Sequence, residues 1–87
     1  MKFKKIKEKE NELEFELIGE DHTFSWLLLE ELLSDKNVEI AQYNIPHPLT
    51  GQPVFYVKTK KGKPIEAVKK AAKQLSKEMQ ELLKQIK

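Results

Sequence analysis

The sequence predicts an α+β fold in which a four-stranded, mostly antiparallel sheet carries two helices on one face, in the order ββαββα. Two pairs of short segments have the alternating or β-branched character of strands, and a longer segment with apolar residues at helical spacing follows each pair. The length of 87 residues suits one domain. We therefore expect residues 1–87 to form a single domain.

The first strand pair is expected near the N-terminus. Residues 2–7 are a weak strand candidate, with Phe3 and Ile6 as apolar members, and residues 9–11 are expected to turn the chain. Glu12–Ile18 alternates clearly between apolar residues and glutamates, which is typical of a half-buried strand. The two segments are therefore predicted to form a hairpin.

The first helix is predicted to begin after Gly19 and to run to about Asp35. Asp21 and Thr23 both suit its N-cap, because their side chains can accept a hydrogen bond from the first free backbone N–H groups. On a helical wheel its large apolar residues fill an arc of roughly 200°, whereas packing on one sheet needs a stripe only a little over ~100° wide. The surplus lies on one flank and is either an unusually deep core or a surface for another protein: Trp26, Leu29 and Leu33.

The second half of the chain repeats the order of two strands and a helix. Residues 38–45 and Val54–Thr59 are predicted strands, and the last helix is predicted from Ile65 nearly to the end. Pro64 suits the first helical position, where its missing N–H costs nothing. Apolar residues recur along this helix in two heptad series, which is typical of helix-on-helix packing.

The length of the last helix predicts an overhang. About 22 residues at ~1.5 Å each span ~33 Å, whereas a strand of about seven residues spans only ~23 Å. The final turns, which carry Leu82, Leu83 and Ile86, are therefore expected to pass the end of the sheet. They would then form either an exposed apolar patch of the kind that marks an interface or a frayed amphipathic tail.

A loop with two prolines around a histidine separates the third and fourth strands. Proline fixes its own φ and restricts the residue before it, so Ile45 and His47 are expected to be extended. We interpret the loop as structural, with His47 presenting a polar edge rather than reacting. The predicted structural loop consists of Pro46, His47, Pro48 and Leu49.

The residues of catalytic and metal sites are poorly represented. The chain has no cysteine, which excludes a disulfide and a thiolate zinc site. The two histidines, His22 and His47, lie 25 positions apart and give only a weak metal signal. A hydrolytic site at the sequence 21–23, Asp-His-Thr, is not supported, because no serine lies on a strand-to-helix turn and no glycine-rich oxyanion loop is present. We expect no catalytic residue, no cofactor and no metal.

Composition limits the classes of partner. Charged residues make up 34% of the chain, but the net charge is only +2 and every cation is a lysine. Arginine is the residue best suited to bidentate recognition of phosphate and guanine, so its absence argues against sequence-specific DNA reading. No apolar run reaches membrane-spanning length and no signal core is present. We therefore expect a soluble, cytoplasmic protein.

Three stretches together resemble a known family: GEDHTF at 19–24, LLLEELL at 27–33 and VEIAQYNIPHPL at 38–49. The pattern continues with Pro53, Thr59 and Pro64. The chain resembles the family of the archaeal DNA-directed RNA polymerase subunit L, with the small eukaryotic polymerase subunit and the dimerisation domain of the bacterial alpha subunit as relatives. The resemblance covers nearly the whole chain.

The resemblance implies a non-catalytic assembly subunit. Members of the family pair with a larger, D-like RNA polymerase subunit, helices against helices, and the heterodimer is the platform on which the large catalytic subunits assemble. Contact with DNA would be only indirect, and neither a membrane nor a small-molecule substrate is implied. Together with the surplus apolar surface, this predicts a partner interface formed by Phe24, Trp26, Leu29, Leu33, Val68, Leu75, Met79, Leu82 and Ile86.

One stretch departs from the family pattern. The family usually has asparagine at the position of Trp26 and arginine at that of Leu29, and this polar pair lies near contacts to a large polymerase subunit. The resemblance therefore does not carry that contact over to this chain.

Two other functional classes are open. An enzyme of the pterin carbinolamine dehydratase type pairs a small sheet with two helices, but it relies on several histidines, more than this chain has. The other class is a small archaeal nucleic-acid-binding protein or a homodimeric interaction protein of the same fold. The missing arginines and the near-balanced charge count against nucleic-acid binding.

Overall fold

The structure, a computed structural model, describes residues 2–19, 22–45 and 52–86. The elements are β1 (Lys2–Glu8), β2 (Glu12–Ile18), α1 (His22–Leu33), β3 (Val38–Asn44), β4 (Val54–Thr59) and α2 (Pro64–Ile86). The strands join in the order β1-β2-β4-β3, and all three pairings are antiparallel. The predicted α+β class and the order ββαββα are thereby confirmed.

The core lies between one face of the sheet and both helices. Alternation in the two central strands puts their apolar side chains on this face, where Leu13 lies opposite Val57 and Phe15 opposite Phe55. The helices α1 and α2 pack on each other, α1 also packs on β3, and α2 on β4 and β2. The buried helix residues that complete the core are Leu28, Leu32, Ala67, Val68, Ala71 and Leu75.

One aromatic side chain from each strand joins a stack across the sheet. The ring of Phe15 stacks on Phe55 with centroids 5.0 Å apart, and Tyr43 stacks on Phe55 at 5.1 Å. Phe3 of the edge strand β1 extends the stack, with its ring centroid 4.8 Å from that of Phe15. Because side chains alternate between faces, a slip of one residue in any strand would remove its ring from the stack. The stack therefore fixes the register of all four strands.

The first helix is shorter than predicted at its C-terminal end. It ends at Leu33 rather than near Asp35, because the Asp35 carboxylate accepts a hydrogen bond from the backbone N–H of Asn37 at 2.9 Å, a local bond that competes with helix continuation. The Asn37 side chain then donates to the Lys61 carbonyl at 2.8 Å and accepts from its N–H at 3.1 Å. These bonds connect the α1–β3 turn to the β4–α2 turn.

The second helix begins at Pro64, as predicted. The turn before it places Gly62 at a φ of 72°, a left-handed conformation that favours glycine. The buried Thr59 hydroxyl donates to the Gly62 carbonyl at 2.9 Å. The strand end, the turn and the helix start are therefore held together.

The predicted overhang of the second helix is present. α2 has 23 residues, which corresponds to ~35 Å, against seven residues and ~23 Å for β2. Its buried residues end at Leu75, and residues 76–86 are all exposed. About three helical turns therefore extend beyond the core.

Some predicted features fall on residues that the structure does not describe. The structural loop of Pro46, His47, Pro48 and Leu49 lies outside the described residues, as does the cap candidate Asp21. The other cap candidate, Thr23, lies inside α1, because the helix already begins at His22. The backbone position of Thr23 is therefore within the helix rather than at its N-cap.

Candidate partner interface

The nine residues predicted for the interface have three different environments. Val68 and Leu75 are 8% and 9% exposed and belong to the core of the chain itself. Phe24 and Leu29 are half-buried and pack against that core. The residues that remain available to a partner in the isolated chain are those that are about half exposed or more: Trp26, Leu33, Met79, Leu82 and Ile86.

The last turns of α2 form an apolar surface with no cover among the described residues. Met79, Leu82 and Ile86 are spaced three and four residues apart and therefore share one side of the helix. Leu83 belongs to the same surface, since it follows Met79 by four positions and is 64% exposed. It was predicted as part of the overhanging apolar patch but not among the nine interface residues. We call these four residues the α2 end patch.

The exposed residues of α1 lie on a different side of the molecule. Glu31 lines the groove between α1 and α2 and so marks the side of α1 that faces α2. At ~100° per residue Trp26 lies ~140° and Leu33 ~160° around the helix from Glu31. Their flank therefore points away from α2 and is separate from the α2 end patch. Phe24, seven positions before Glu31, lies on the side facing α2.

The groove between the helices is polar and has a volume of about 340 Å³. Burial raises the pKa of Glu31 above its ordinary value of 4.5, and a hydrogen bond and the like charge of Glu78 on α2 raise it further. At the other end of the groove Lys70 Nζ lies 3.8 Å from Asp35 Oδ2. The lining is therefore largely charged and does not suit an apolar ligand.

The open face of the sheet is also polar. The Tyr56 hydroxyl donates to Glu12 Oε1 at 2.8 Å, and this bond, with burial and the negative charge nearby, raises the pKa of Tyr56. Lys4 of β1 lies opposite Glu16 of β2, so opposite charges alternate across the strands. This face presents polar pairs rather than an apolar binding surface.

The described part of the chain contains no group of three histidine, cysteine, aspartate or glutamate side chains that could hold a metal ion. Nor is either of its helices long and apolar enough to cross a membrane. Among the exposed large apolar side chains, Phe3, Ile6 and Ile40 lie on the outer strands β1 and β3. Most exposed apolar side chains of the helices lie at the α2 end patch and on the flank of α1.

Comparisons with known proteins identify the family of the chain. A model of the RNA polymerase Rpb3/Rpb11 dimerisation domain matches residues 12–85. The chain is 46% identical over 68 residues to DNA-directed RNA polymerase subunit Rpo11 of Archaeoglobus fulgidus, an alignment covering 78% of this chain and 79% of that protein. It is 44% identical over 86 residues to the same subunit of Pyrococcus furiosus, covering 95% and 90%.

A solved structure shows the same similarity in three dimensions. The crystal structure of DNA-directed RNA polymerase subunit L from Thermoplasma acidophilum matches with a TM-score of 0.88 at 38% identity, covering 98% of this chain and 84% of that chain. The match includes both helices and all four strands, given its coverage. The chain therefore belongs to the Rpb3/Rpb11 dimerisation domain family, among the archaeal RNA polymerase subunits of the Rpo11, or L, type.

Proposed function

We propose that this chain is a non-catalytic assembly subunit of DNA-directed RNA polymerase. In this proposal residues 1–87 form one dimerisation domain, which pairs in the cytoplasm with a D-like RNA polymerase subunit. The heterodimer is the platform for the large catalytic subunits in transcription. Membership of a dimerisation domain family supports the pairing, and the α2 end patch supplies a surface for it.

The observation that carries the proposal is the exposure of the α2 end patch. Its four side chains are between 49% and 67% exposed, and full burial of one such side chain is worth about 1.5–3 kcal/mol. Covering the remaining half of each would contribute several kilocalories per mole before the cost of association. An obligate interface of this kind buries ~2,000 Å² or more. Trp26 and Leu33 lie on the separate flank of α1 and would join the contact only with a partner that also reaches that flank.

The second helix also presents the patch in a fixed orientation. Val68 and Leu75 anchor its first half in the core, and the helix continues without a break to Ile86. The apolar turns are therefore held out from the domain before the partner arrives. Such preorganisation lowers the ordering cost of association.

The test is co-purification and titration with a D-like polymerase subunit. Leu82→Asp should weaken the complex at least tenfold, because it buries a charge at the centre of the patch. The matched control is Gln80→Asp, which adds the same charge at an exposed position on the same part of the helix. The control should change affinity less than about threefold, within the range of a surface substitution.

Equal affinity for Leu82→Asp, Gln80→Asp and the unchanged chain would overturn the proposal. A homodimeric function is the second candidate, because the same exposed patch can pair with a second copy. It would be favoured if the chain remained a homodimer in the presence of the D-like partner. The proposed function predicts instead that the heterodimer replaces any homodimer.

A further inference from the structure

The outer side of α2 carries the highest concentration of positive charge in the chain. Residues 60–77 contain seven lysines and a single glutamate, so this segment has a formal charge of +6, while the whole chain has +2 and the rest therefore −4. The near-balanced total hides this separation. Four exposed lysines of this segment lie on the helix, and we call them the lysine face: Lys69, Lys70, Lys73 and Lys77.

The geometry of α2 keeps these lysines together and away from the partner surface. Lys69, Lys73 and Lys77 follow at four-residue spacing and span ~12 Å along the helix. Measured around the helix from the buried Val68, they lie at about 100°, 140° and 180°, whereas the α2 end patch spans about −40° at Leu82 to 60° at Leu83. A partner centred on the α2 end patch therefore leaves Lys73 and Lys77 uncovered, a step that rests on the proposed heterodimer.

The positive charge of this face is only weakly neutralised. Lys69 Nζ lies 3.7 Å from Glu66, but both side chains are about two-thirds exposed, and such surface pairs contribute little. Lys70 reaches Asp35 at 3.8 Å at the edge of the helix groove. Within residues 2–19, 22–45 and 52–86, Lys73 and Lys77 have no ion-pair partner closer than 4.0 Å.

Several lysines of β1 are balanced by opposite charges. On the open face of the sheet, Lys4 of β1 lies opposite Glu16, and Lys7 lies opposite Glu14. A lysine edge strand of this kind is also a common protection against strand-to-strand aggregation. The lysine face has neither a row of glutamates opposite it nor an edge to protect.

The composition of the lysine face favours a phosphate backbone over a protein surface. Protein interfaces are depleted in lysine and enriched in aromatic residues, methionine and arginine. Lysine binds phosphate as a point charge, and the absence of arginine removes the side chain best suited to reading guanine. We propose that the lysine face binds the phosphate backbone of duplex DNA without recognising bases. This revises the expectation that the chain contacts DNA only indirectly.

The experiment titrates a labelled DNA duplex of about 20 base pairs with the full chain and measures fluorescence anisotropy at several salt concentrations. Four lysine–phosphate contacts predict a slope of log affinity against log salt of about −3 to −4. Affinity should therefore fall on the order of a hundredfold between about 50 and 200 mM salt. A chain that shows no binding at the lowest salt would overturn the proposal.

Two triple variants with the same loss of charge identify the surface. Replacing Lys69, Lys73 and Lys77 with glutamine should weaken binding more than tenfold and reduce the salt slope by about three. The control variant replaces Lys2, Lys4 and Lys7 with glutamine and should change affinity less than about threefold. Equal losses in the two variants would show that net charge alone attracts DNA, and would overturn the assignment to α2.

Two further measurements separate this proposal from its alternatives. Poly-L-glutamate should compete at least tenfold less well than unlabelled duplex, and equal competition would indicate an acidic protein surface as the natural ligand instead. The α2 triple variant should keep its affinity for the D-like partner, and Leu82→Asp should keep its affinity for DNA. Failure of the heterodimer and failure of DNA binding are therefore distinguishable.

Discussion

Leu75→Ala and Leu82→Ala should separate folding from partner binding along the same helix. The two leucines are seven residues apart and therefore share one side of α2, and the chemical change is the same. Leu75 is 9% exposed and lies in the core, whereas Leu82 is 49% exposed and lies beyond it. The two substitutions therefore differ mainly in where each leucine lies relative to the end of the core.

The expected magnitudes follow from burial. Truncation of a buried leucine removes its transfer free energy and leaves a cavity, so Leu75→Ala should lower the free energy of unfolding by about 2–5 kcal/mol. Leu82→Ala removes only a half-buried side chain and introduces a better helix former, so its cost should be within about 0.5–1 kcal/mol. The half of Leu82 that is still exposed is available to the partner, and its loss should weaken the complex by more than about 1 kcal/mol.

Two measurements on each variant test this reasoning. Urea unfolding of the isolated chain gives the free energy of unfolding, and titration with the D-like polymerase subunit gives the affinity. If Leu82→Ala lowers stability as much as Leu75→Ala and leaves the affinity unchanged, the end of α2 is folded against its own core. The end of α2 would then not extend beyond the core.

Four other predictions follow from the surface, the helix groove, the Ser25 side chain and the backbone at Gly62. The isolated chain should self-associate through its apolar patch, and sedimentation that shows a stable monomer at high micromolar concentration would contradict this. The pKa of Glu31 is raised in the folded state, so the stability that its protonated form contributes is lost as the pH rises above about 4.5. Glu78→Gln should reduce this loss, and urea unfolding at about pH 4 and pH 7 measures it. Ser25→Ala should leave stability unchanged or raise it by up to about 1 kcal/mol, because its buried Oγ has no hydrogen-bond partner among the described residues. Gly62→Ala should lower the free energy of unfolding by about 1 kcal/mol, because the φ of Gly62 is 72°. Thermal unfolding in which Ser25→Ala and Gly62→Ala shift stability in the same direction would refute these two predictions.

The elements of the fold could be predicted because local signals and burial agree. Glu12–Ile18 alternates in sequence and is half-buried in the structure with the same period, and Pro64 both suits and occupies the first position of α2. The end of α1 was less accessible to sequence reasoning. It depends on the hydrogen bond from Asn37 to the Asp35 carboxylate, and helical periodicity does not include such local competition.

The candidate interface could be predicted only in part, since a helical wheel gives angles but not neighbours. Periodicity, together with the length of α2, identified Trp26 and Leu82 as candidate interface residues, and both are about half exposed. It could not show that they lie on separate sides, because that depends on where α2 crosses α1. It also placed Val68 in the interface, although the sheet below leaves that residue only 8% exposed. The lysine face was not predicted for a similar reason, because the net charge of the chain sums over surfaces that the fold separates.

The pairing of β2 with β4 has a consequence for the order in which the chain folds. Phe15 and Phe55 are neighbours in the sheet but 40 positions apart in sequence, so bringing them together costs ~3 kcal/mol of loop-closure entropy. During synthesis β1, β2 and α1 leave the ribosome first, and a two-stranded sheet alone is marginally stable. The inner edge of β2 stays unpaired until β4 has been made. Its row of Leu13, Phe15 and Leu17 is covered by α2 only after that. The nascent chain is therefore most prone to aggregation in that interval, and a pause in translation between β2 and β4 would prolong it.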